Sequence, residues 1–168
     1  MEKDVLDKLI EDWNRQRPEL DASAMGVVGR VLQLSRRLQA RAGRALKKFG
    51  IHYTDLNVLA TLRRSGEPFR LTPTDLRRSV LISSGAMSAV LNRLDRAGLL
   101  ERVPEPSDRR MRAVQLTPKG KELHDLAIAV RFAEAEMSLA GMSQEERDAL
   151  ANLLRKLTLS IKHAPEPE

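Results

Sequence analysis

The sequence contains no cysteine and few aromatic residues, and both shortages restrict what the protein can be. Without cysteine, a disulfide scaffold, a thiolate nucleophile, a cysteine zinc site and a thiol redox switch are excluded. Aromatic residues make up 3% of the 168 residues, whereas hydrophobic residues make up 42%. The core must therefore consist mainly of Leu, Val, Ile, Ala and Met, a composition typical of packed helices.

Signals for membrane passage and for catalysis are scarce as well. No stretch approaches the about 18 consecutive apolar residues of a membrane span. The chain starts with the acidic segment MEKDVLDKLIEDW, which lacks a signal-peptide core, so we expect a cytoplasmic protein. The three histidines, His52, His124 and His163, form no metal-binding pattern, and no glycine-rich phosphate loop occurs. We therefore expect no enzyme activity, no metal and no cofactor.

Positive charge, by contrast, is concentrated in one segment. The chain has a formal net charge of +6, and residues 70–120 alone contain ten Lys or Arg against five Asp or Glu. The segment thus contributes +5, nearly the whole excess. A local surplus of cations indicates a polyanionic partner.

Local patterns predict a chain made mostly of helices. Apolar residues recur at helical spacing over residues 2–16, 22–49 and 53–64, and Gly50 is placed to end the second of these helices. Two Thr-Pro pairs, at 72–73 and 117–118, combine a helix cap with proline at the first helical position. They predict helices over residues 73–79 and 118–140. A capping box at 143–146 predicts a last helix to about residue 162.

The centre of the chain, residues 72–117, has the order helix, sharp turn, helix and two-stranded ribbon. The helix over 84–97, which Ser83 or Ser84 caps, follows the helix over 73–79 after only a few residues, as a helix-turn-helix requires. Strands are expected over 99–103 and 113–116, around a loop rich in proline and arginine. A slim helix for the major groove and a cationic finger for the backbone or minor groove are what DNA binding needs.

These elements predict a mainly α fold with a small β-ribbon. We expect a winged helix-turn-helix DNA-binding module at residues 53–117 and a helical dimerisation region at residues 1–52 and 118–168. The helix that starts at residue 118 has more apolar surface than the module can cover. A symmetric homodimer would cover it.

The helix over 84–97 has one apolar face and one face of small or polar residues. Met87, Val90, Leu91 and Leu94 have the spacing of a buried face, which leaves short hydroxyl and amide side chains outside, able to enter a groove. The candidate DNA-binding residues, including two at the preceding helix, are Thr72, Thr74, Ser84, Ala86, Ser88, Ala89, Asn92 and Arg93.

The ribbon tip adds four more candidates, Asp108, Arg109, Arg110 and Arg112. Asp108 can pair with a neighbouring arginine and fix its direction, which leaves the other cations for phosphates or a narrow minor groove. The alternative is a solvated charge cluster on a hairpin. Trp13, the only tryptophan, also has two interpretations, as an anchor that docks the first helix or as the wall of a ligand pocket.

Two segments, LTPTDLRRSVLISSGAMSAVLNRLDRAGLLER and PEPSDRRMRAVQLTPKGKEL, resemble the MarR family of winged helix-turn-helix regulators. The likeness covers about residues 25–162. It implies an obligate dimer clamped by the first and last helices, with residues 84–97 in a major groove and Arg110 in the flanking minor groove. Members of the family usually repress a neighbouring gene and release DNA when a small, often aromatic or phenolic, anion binds.

Within the family, the added N-terminal helix and the segments RPELDASAMGVVGR and LATLRRSGEPFRLTP look most like the PecS and urate-responsive branch. That branch places a Trp, an Asp and two Arg around its ligand. The matching positions here are Trp13, Asn57, Val90 and Arg102, so one anion and one cation are replaced. The resemblance therefore implies a less charged ligand than urate, or none.

We accordingly expect a nucleoid-associated, homodimeric transcription regulator, most simply a repressor, that binds a palindromic site in double-stranded DNA and is released by a small effector. One alternative is a constitutive or architectural DNA-binding protein without an effector. Another is a helical interaction protein whose charges only solvate its surface.

Overall fold

A computed structural model describes residues 2–80, 82–105 and 112–164. Within these residues the chain forms seven α-helices and three short strands. In chain order they are α1 (Val5–Gln16), α2 (Ser23–Leu46), α3 (Tyr53–Arg64), β1 (Arg70–Leu71), α4 (Pro73–Val80), α5 (Ser84–Arg96), β2 (Leu100–Pro104), β3 (Arg112–Leu116), α6 (Pro118–Ser138) and α7 (Gln144–His163). The chain divides into two compact units, Met1–Arg131 and Phe132–Glu168.

All seven predicted helices are present, and most begin where the caps place them. Thr72 accepts a hydrogen bond from the Asp75 amide at 3.2 Å, and Ser83 accepts one from the Ala86 amide at 3.2 Å. A 3-10 turn over Lys47–Phe49 follows α2, and Gly50 ends it with a φ of +67°. A left-handed residue after a helix is the conformation that glycine adopts at least cost.

The predicted ribbon is part of a larger sheet. Strands β2 and β3 pair antiparallel from Leu100 opposite Leu116 to Pro104 opposite Arg112. Strand β1, which the sequence analysis did not predict, pairs with the other edge of β3 and gives the order β1-β3-β2. Strand β1 has only two residues, which is too short for the alternation of polar and apolar side chains by which a strand is predicted from sequence.

The core of the first unit is aliphatic, as the composition predicted. It contains the inner faces of α3 and α5, with Leu46, Leu76, Leu100 and Val114 from the surrounding elements. The predicted inner face of α5 is confirmed, since Met87, Val90, Leu91 and Leu94 are all buried there.

Helix α1 packs closely on the N-terminal half of α2. A β-carbon on Gly29 would lie 2.6 Å from a Leu6 methyl group, so the Leu6 side chain would have to move to admit an alanine there. Arg30 donates hydrogen bonds to Asp4 at 2.9 Å and to Asp7 at 2.7 Å, and the guanidinium lowers the pKa of the Asp4 carboxyl. The added N-terminal helix is thus held by both packing and charge.

The second unit contains the end of α6 and the whole of α7. Ser143 and Glu146 form the predicted capping box, with each side chain accepting a hydrogen bond from the other residue's amide. Arg147 bonds Glu136 and the carbonyl oxygens of Leu139 and Met142. None of the helices in residues 2–80, 82–105 and 112–164 is long and apolar enough to cross a membrane.

The C-terminal end of α5 is joined to the first turn of α6. Gly98 has a φ of +69°, and the amides of Gly98 and Leu99 donate to the carbonyls of Asp95 and Leu94 in a Schellman motif. Thr117 donates to the Gly98 carbonyl at 2.8 Å, and Lys119 donates to the Ala97 carbonyl at 2.8 Å. Residues from α6 and the position before it therefore satisfy the carbonyl groups at the end of α5.

This junction predicts that Gly120→Ala is strongly destabilising. A β-carbon at residue 120 would lie 1.8 Å from the Leu99 carbonyl oxygen. The Leu99 backbone can move away from it only if the contact between the end of α5 and the first turn of α6 is broken. We expect the free energy of unfolding, measured by urea denaturation, to fall by about 3 kcal/mol.

The matched control is Gly43→Ala in the middle of α2, where a β-carbon meets nothing within 4 Å. The free energy of unfolding of this variant should rise by about 0.5–1 kcal/mol, because alanine has the higher helix propensity. A Gly120→Ala variant as stable as the wild type would show that the two backbones do not approach this closely.

Candidate nucleic-acid interface

The outer face of α5 presents a surface of small polar side chains to solvent. The predicted residues Ser84, Ala86, Ser88, Ala89 and Asn92 are all exposed. They begin at the helix N-terminus, where unpaired amides favour an anion such as phosphate. The opposite face is anchored in the core, so this surface has a fixed direction.

Arg93 occupies a different environment from the other candidates on α5. Its guanidinium donates to the carboxylate of Asp55 on α3, with the shortest contact 2.5 Å from Nη2 to Oδ1. The Asp55 side chain is only 1% exposed, whereas that of Arg93 is 42% exposed. The hydrogen bonds from Arg93 to Asp55 raise the pKa of Arg93 further above its usual range. Arg93 thus connects α5 to α3 while one edge of it remains in solvent.

Asp55 has a second role at the start of α3. Its Oδ2 accepts a hydrogen bond from the His52 amide at 2.8 Å, which closes a capping box. A buried carboxylate needs such partners, because an unpaired charge in the interior is costly. Asp55 is not among the site residues predicted from the sequence. Its position at the third residue of a predicted helix was the available signal.

Arg102 of β2 lies across the exposed face of α5. Its Nη2 donates to the Asn92 side-chain oxygen at 2.6 Å, and its Nε lies 3.5 Å from an Asp95 carboxylate oxygen. A residue predicted to bind the effector is therefore hydrogen-bonded to a residue predicted to bind DNA. This contact was not predicted from the sequence.

The remaining DNA-binding candidates lie on α4 and the ribbon. Thr74 is exposed, while the Thr72 hydroxyl donates to Asp75 at 2.7 Å and so belongs to the helix cap. Arg112 is exposed at the start of β3. Asp108, Arg109 and Arg110 lie outside the described residues.

The four effector candidates lie in different environments in the single chain. Trp13 is 49% exposed and lines an open depression of about 410 Å³, whose walls all belong to α1. Val90 is buried in the core at 4% exposure, and Asn57 is half-buried on α3. Arg102 is exposed and engaged with Asn92.

Comparison with known proteins identifies the family. A family model described as MarR family matches residues 49–111. The chain is 32% identical over 117 residues to the uncharacterized HTH-type transcriptional regulator YkoM of Bacillus subtilis, a match that covers 70% of this chain and 74% of that protein. The chain belongs to the MarR family.

Two further similarities extend over most of the chain. The HTH-type transcriptional regulator PecS of Dickeya dadantii is 29% identical over 149 residues, or 89% of this chain and 90% of PecS. The structure of BpsR from Bordetella bronchiseptica, whose DNA binding is regulated by 6-hydroxynicotinic acid, matches with a TM-score of 0.70 and 26% identity over 78% of this chain and 92% of BpsR. This MarR-family chain is thus a winged helix-turn-helix transcription regulator and not an enzyme.

The Asp55–Arg93 pair predicts an asymmetry between two substitutions. Arg93→Ala leaves a fully buried carboxylate without its cation and should lower the free energy of unfolding by about 3–5 kcal/mol. Asp55→Asn leaves a cation that can turn to solvent, because Arg93 is 42% exposed. The loss in free energy of unfolding should therefore be about half that of Arg93→Ala. Urea denaturation of both variants measures the difference.

The control is Arg96→Ala, which removes an exposed arginine in the last turn of α5 and should change stability by less than about 0.5 kcal/mol. If the Arg93 and Asp55 variants lost the same free energy of unfolding, the pair would not be a buried carboxylate bound to a half-exposed cation.

Proposed function

We propose that this MarR-family regulator binds a palindromic site in double-stranded DNA as a homodimer and represses transcription. The observation that carries the proposal is the exposed face of α5, which presents small polar side chains to solvent. The helix itself is fixed by its buried apolar face, by the Asp55–Arg93 ion pair and by its contact with the first turn of α6. Such a helix can enter a major groove without losing its direction. The flanking arginines of the ribbon supply the backbone and minor-groove contacts.

The homodimer is supported by apolar side chains that each unit leaves exposed. On α2 these include Val27, Leu32 and Leu34, and on α7 they include Leu153 and Ile161. A second copy that covers them would create the dimerisation region proposed for residues 1–52 and 118–168. Two copies of α5 must then lie about 34 Å apart to read one face of B-form DNA.

The ribbon contributes a prediction of its own. Arg110→Ala should weaken binding to duplex DNA by about 1–3 kcal/mol, because the variant has no cation for the minor groove or the backbone at this position. Fluorescence anisotropy with labelled duplex measures the change, and Arg15→Ala on α1 is the control of equal charge. An Arg110→Ala affinity equal to that of the control would remove the ribbon tip from the interface.

We further propose that a small aromatic or phenolic effector of low charge releases the DNA. Trp13, Asn57, Val90 and Arg102 are the proposed effector residues, with Val90 contributing only an apolar wall. The hydrogen bond from Arg102 to Asn92 supports a route for release. An effector that takes the Arg102 guanidinium frees Asn92 and Asp95 and changes the face of α5 that meets DNA.

A thermal-shift screen of aromatic acids tests the effector. A ligand that raises the melting temperature and weakens duplex binding supports the proposal, and Arg102→Ala should reduce both effects. Trp13→Phe, which keeps the aromatic ring, is the conservative comparison. If no compound in the screen does both, the constitutive DNA-binding alternative is favoured.

A further inference from the structure

Helix α2 and its flanks form the longest stretch of the chain without a negative charge. Residues 22–54 contain seven Lys or Arg and no Asp or Glu, and six of the seven cations fall within residues 36–48. The net charge of this stretch, +7, exceeds that of the winged helix module. The proposed major-groove and ribbon contacts make no use of it.

Five of these cations form an exposed surface that we call the cationic stripe: Arg36, Arg37, Arg44, Lys47 and Lys48. Arg37 and Arg44 recur at i and i+7, which places them on one side of α2, and Lys47 and Lys48 follow in the 3-10 turn. Ala42 and Leu46, by contrast, are buried in the core. The stripe therefore faces solvent along the second half of α2 and the turn after it.

The cationic stripe has no carboxylate partner in the described part of the chain. Within residues 2–80, 82–105 and 112–164, none of its five members has an Asp or Glu at ion-pair distance; the cations Lys3, Arg15 and Arg30 on and beside α1 do have one. Lys48 instead lies over the Phe49 ring, 5.2 Å from its centre.

Folding does not account for this arrangement. Like charges at i and i+4, such as Arg37 and Arg41 within α2, destabilise a helix by about 0.2–0.5 kcal/mol per pair. The helix dipole offsets that cost only for cations in the last turn, and Arg36 and Arg37 lie more than two turns earlier. A polyanionic ligand would stabilise all five.

The position of the cationic stripe separates it from the groove-binding face. Phe49 and Gly50, at its end, line a cavity of about 260 Å³ together with Leu94 and Ala97. The stripe thus meets α5 at the C-terminal end of that helix. The 13 residues of α5 span about 20 Å, so the N-terminal end that faces the proposed groove is roughly a duplex diameter away.

From this geometry we infer that the cationic stripe binds the phosphate backbone of a second segment of duplex DNA, distinct from the segment contacted by α5. Residues 36–48 extend over about 18 Å, a length that covers about five phosphates of one strand. Within residues 36–48 the exposed large apolar side chain is Leu38, which is too little apolar surface for insertion into lipid. Aromatic stacking, which single-stranded nucleic acid favours, is limited to the half-buried Phe49.

The test compares two variants that each remove five positive charges. The stripe variant carries R36Q, R37Q, R44Q, K47Q and K48Q, since glutamine keeps helix propensity nearly unchanged. The control carries K3Q, R15Q, R17Q, R155Q and K156Q. Both are also made in a background with S88E and A89E, which places carboxylates on the groove-binding face of α5.

The probe is a labelled 60-base-pair duplex of mixed sequence, of a length chosen to exceed a single palindromic site. Its affinity is measured by anisotropy between about 50 and 300 mM KCl. In the S88E/A89E background we expect salt-dependent binding to persist. The stripe substitutions should then weaken it at least tenfold and reduce the salt slope by about 0.9 for each phosphate that the protein no longer neutralises.

Three results would be decisive in different ways. Stripe and control variants with the same affinity and slope would overturn the inference. Loss of all binding in the S88E/A89E background alone would also overturn it, while leaving the proposed function intact. Failure of the proposed function would look different, because S88E/A89E would then leave wild-type binding unchanged.

Circular dichroism and sedimentation check folding and assembly of each variant. R36Q/R37Q alone repeats the test with the smallest perturbation.

Discussion

The approach of the first turn of α6 to the Leu99 carbonyl is the constraint on which the DNA interface depends. Only a residue without a β-carbon fits at position 120, and its neighbours Thr117 and Lys119 satisfy the last carbonyls of α5. The C-terminal end of α5 is therefore fixed by a close backbone approach together with two side-chain hydrogen bonds. A helix anchored at that end and along its apolar face can direct only its polar N-terminal face outward.

Two polar contacts complete this anchoring, and they differ in how easily they can be broken. The Asp55–Arg93 pair is buried on its acidic side, so separating it leaves a charge in the interior. The Arg102–Asn92 bond lies at the surface, where water can replace either partner at little cost. The first contact is suited to hold α5 and the second to respond to a ligand. Under the proposed function the second contact is the one that an effector would change, because an effector shifts an equilibrium only by its differential affinity for two states.

The helices and their caps could be predicted from sequence because their causes are local. Thr72, Ser83, Ser143 and Gly50 each act within four residues, and the apolar stripe of α5 is a periodic pattern. Strand β1 could not be predicted, since its two residues are held by pairing with a strand more than forty positions later. Asp55–Arg93 and Arg102–Asn92 were missed for the same reason: both join elements that only the fold brings together.

The net charge of the chain does not show how strongly positive two of its segments are. The chain carries +6, yet residues 22–54 carry +7 and residues 70–120 carry +5, which leaves −6 for the rest. Outside the winged helix module the chain is nearly neutral in sum, because acidic termini cancel α2. Charges act over about 10 Å in 0.1 M salt, so a distant carboxylate does not neutralise the cationic stripe. Two separate cationic surfaces on one subunit would let a dimer hold DNA at more places than its two groove-binding helices.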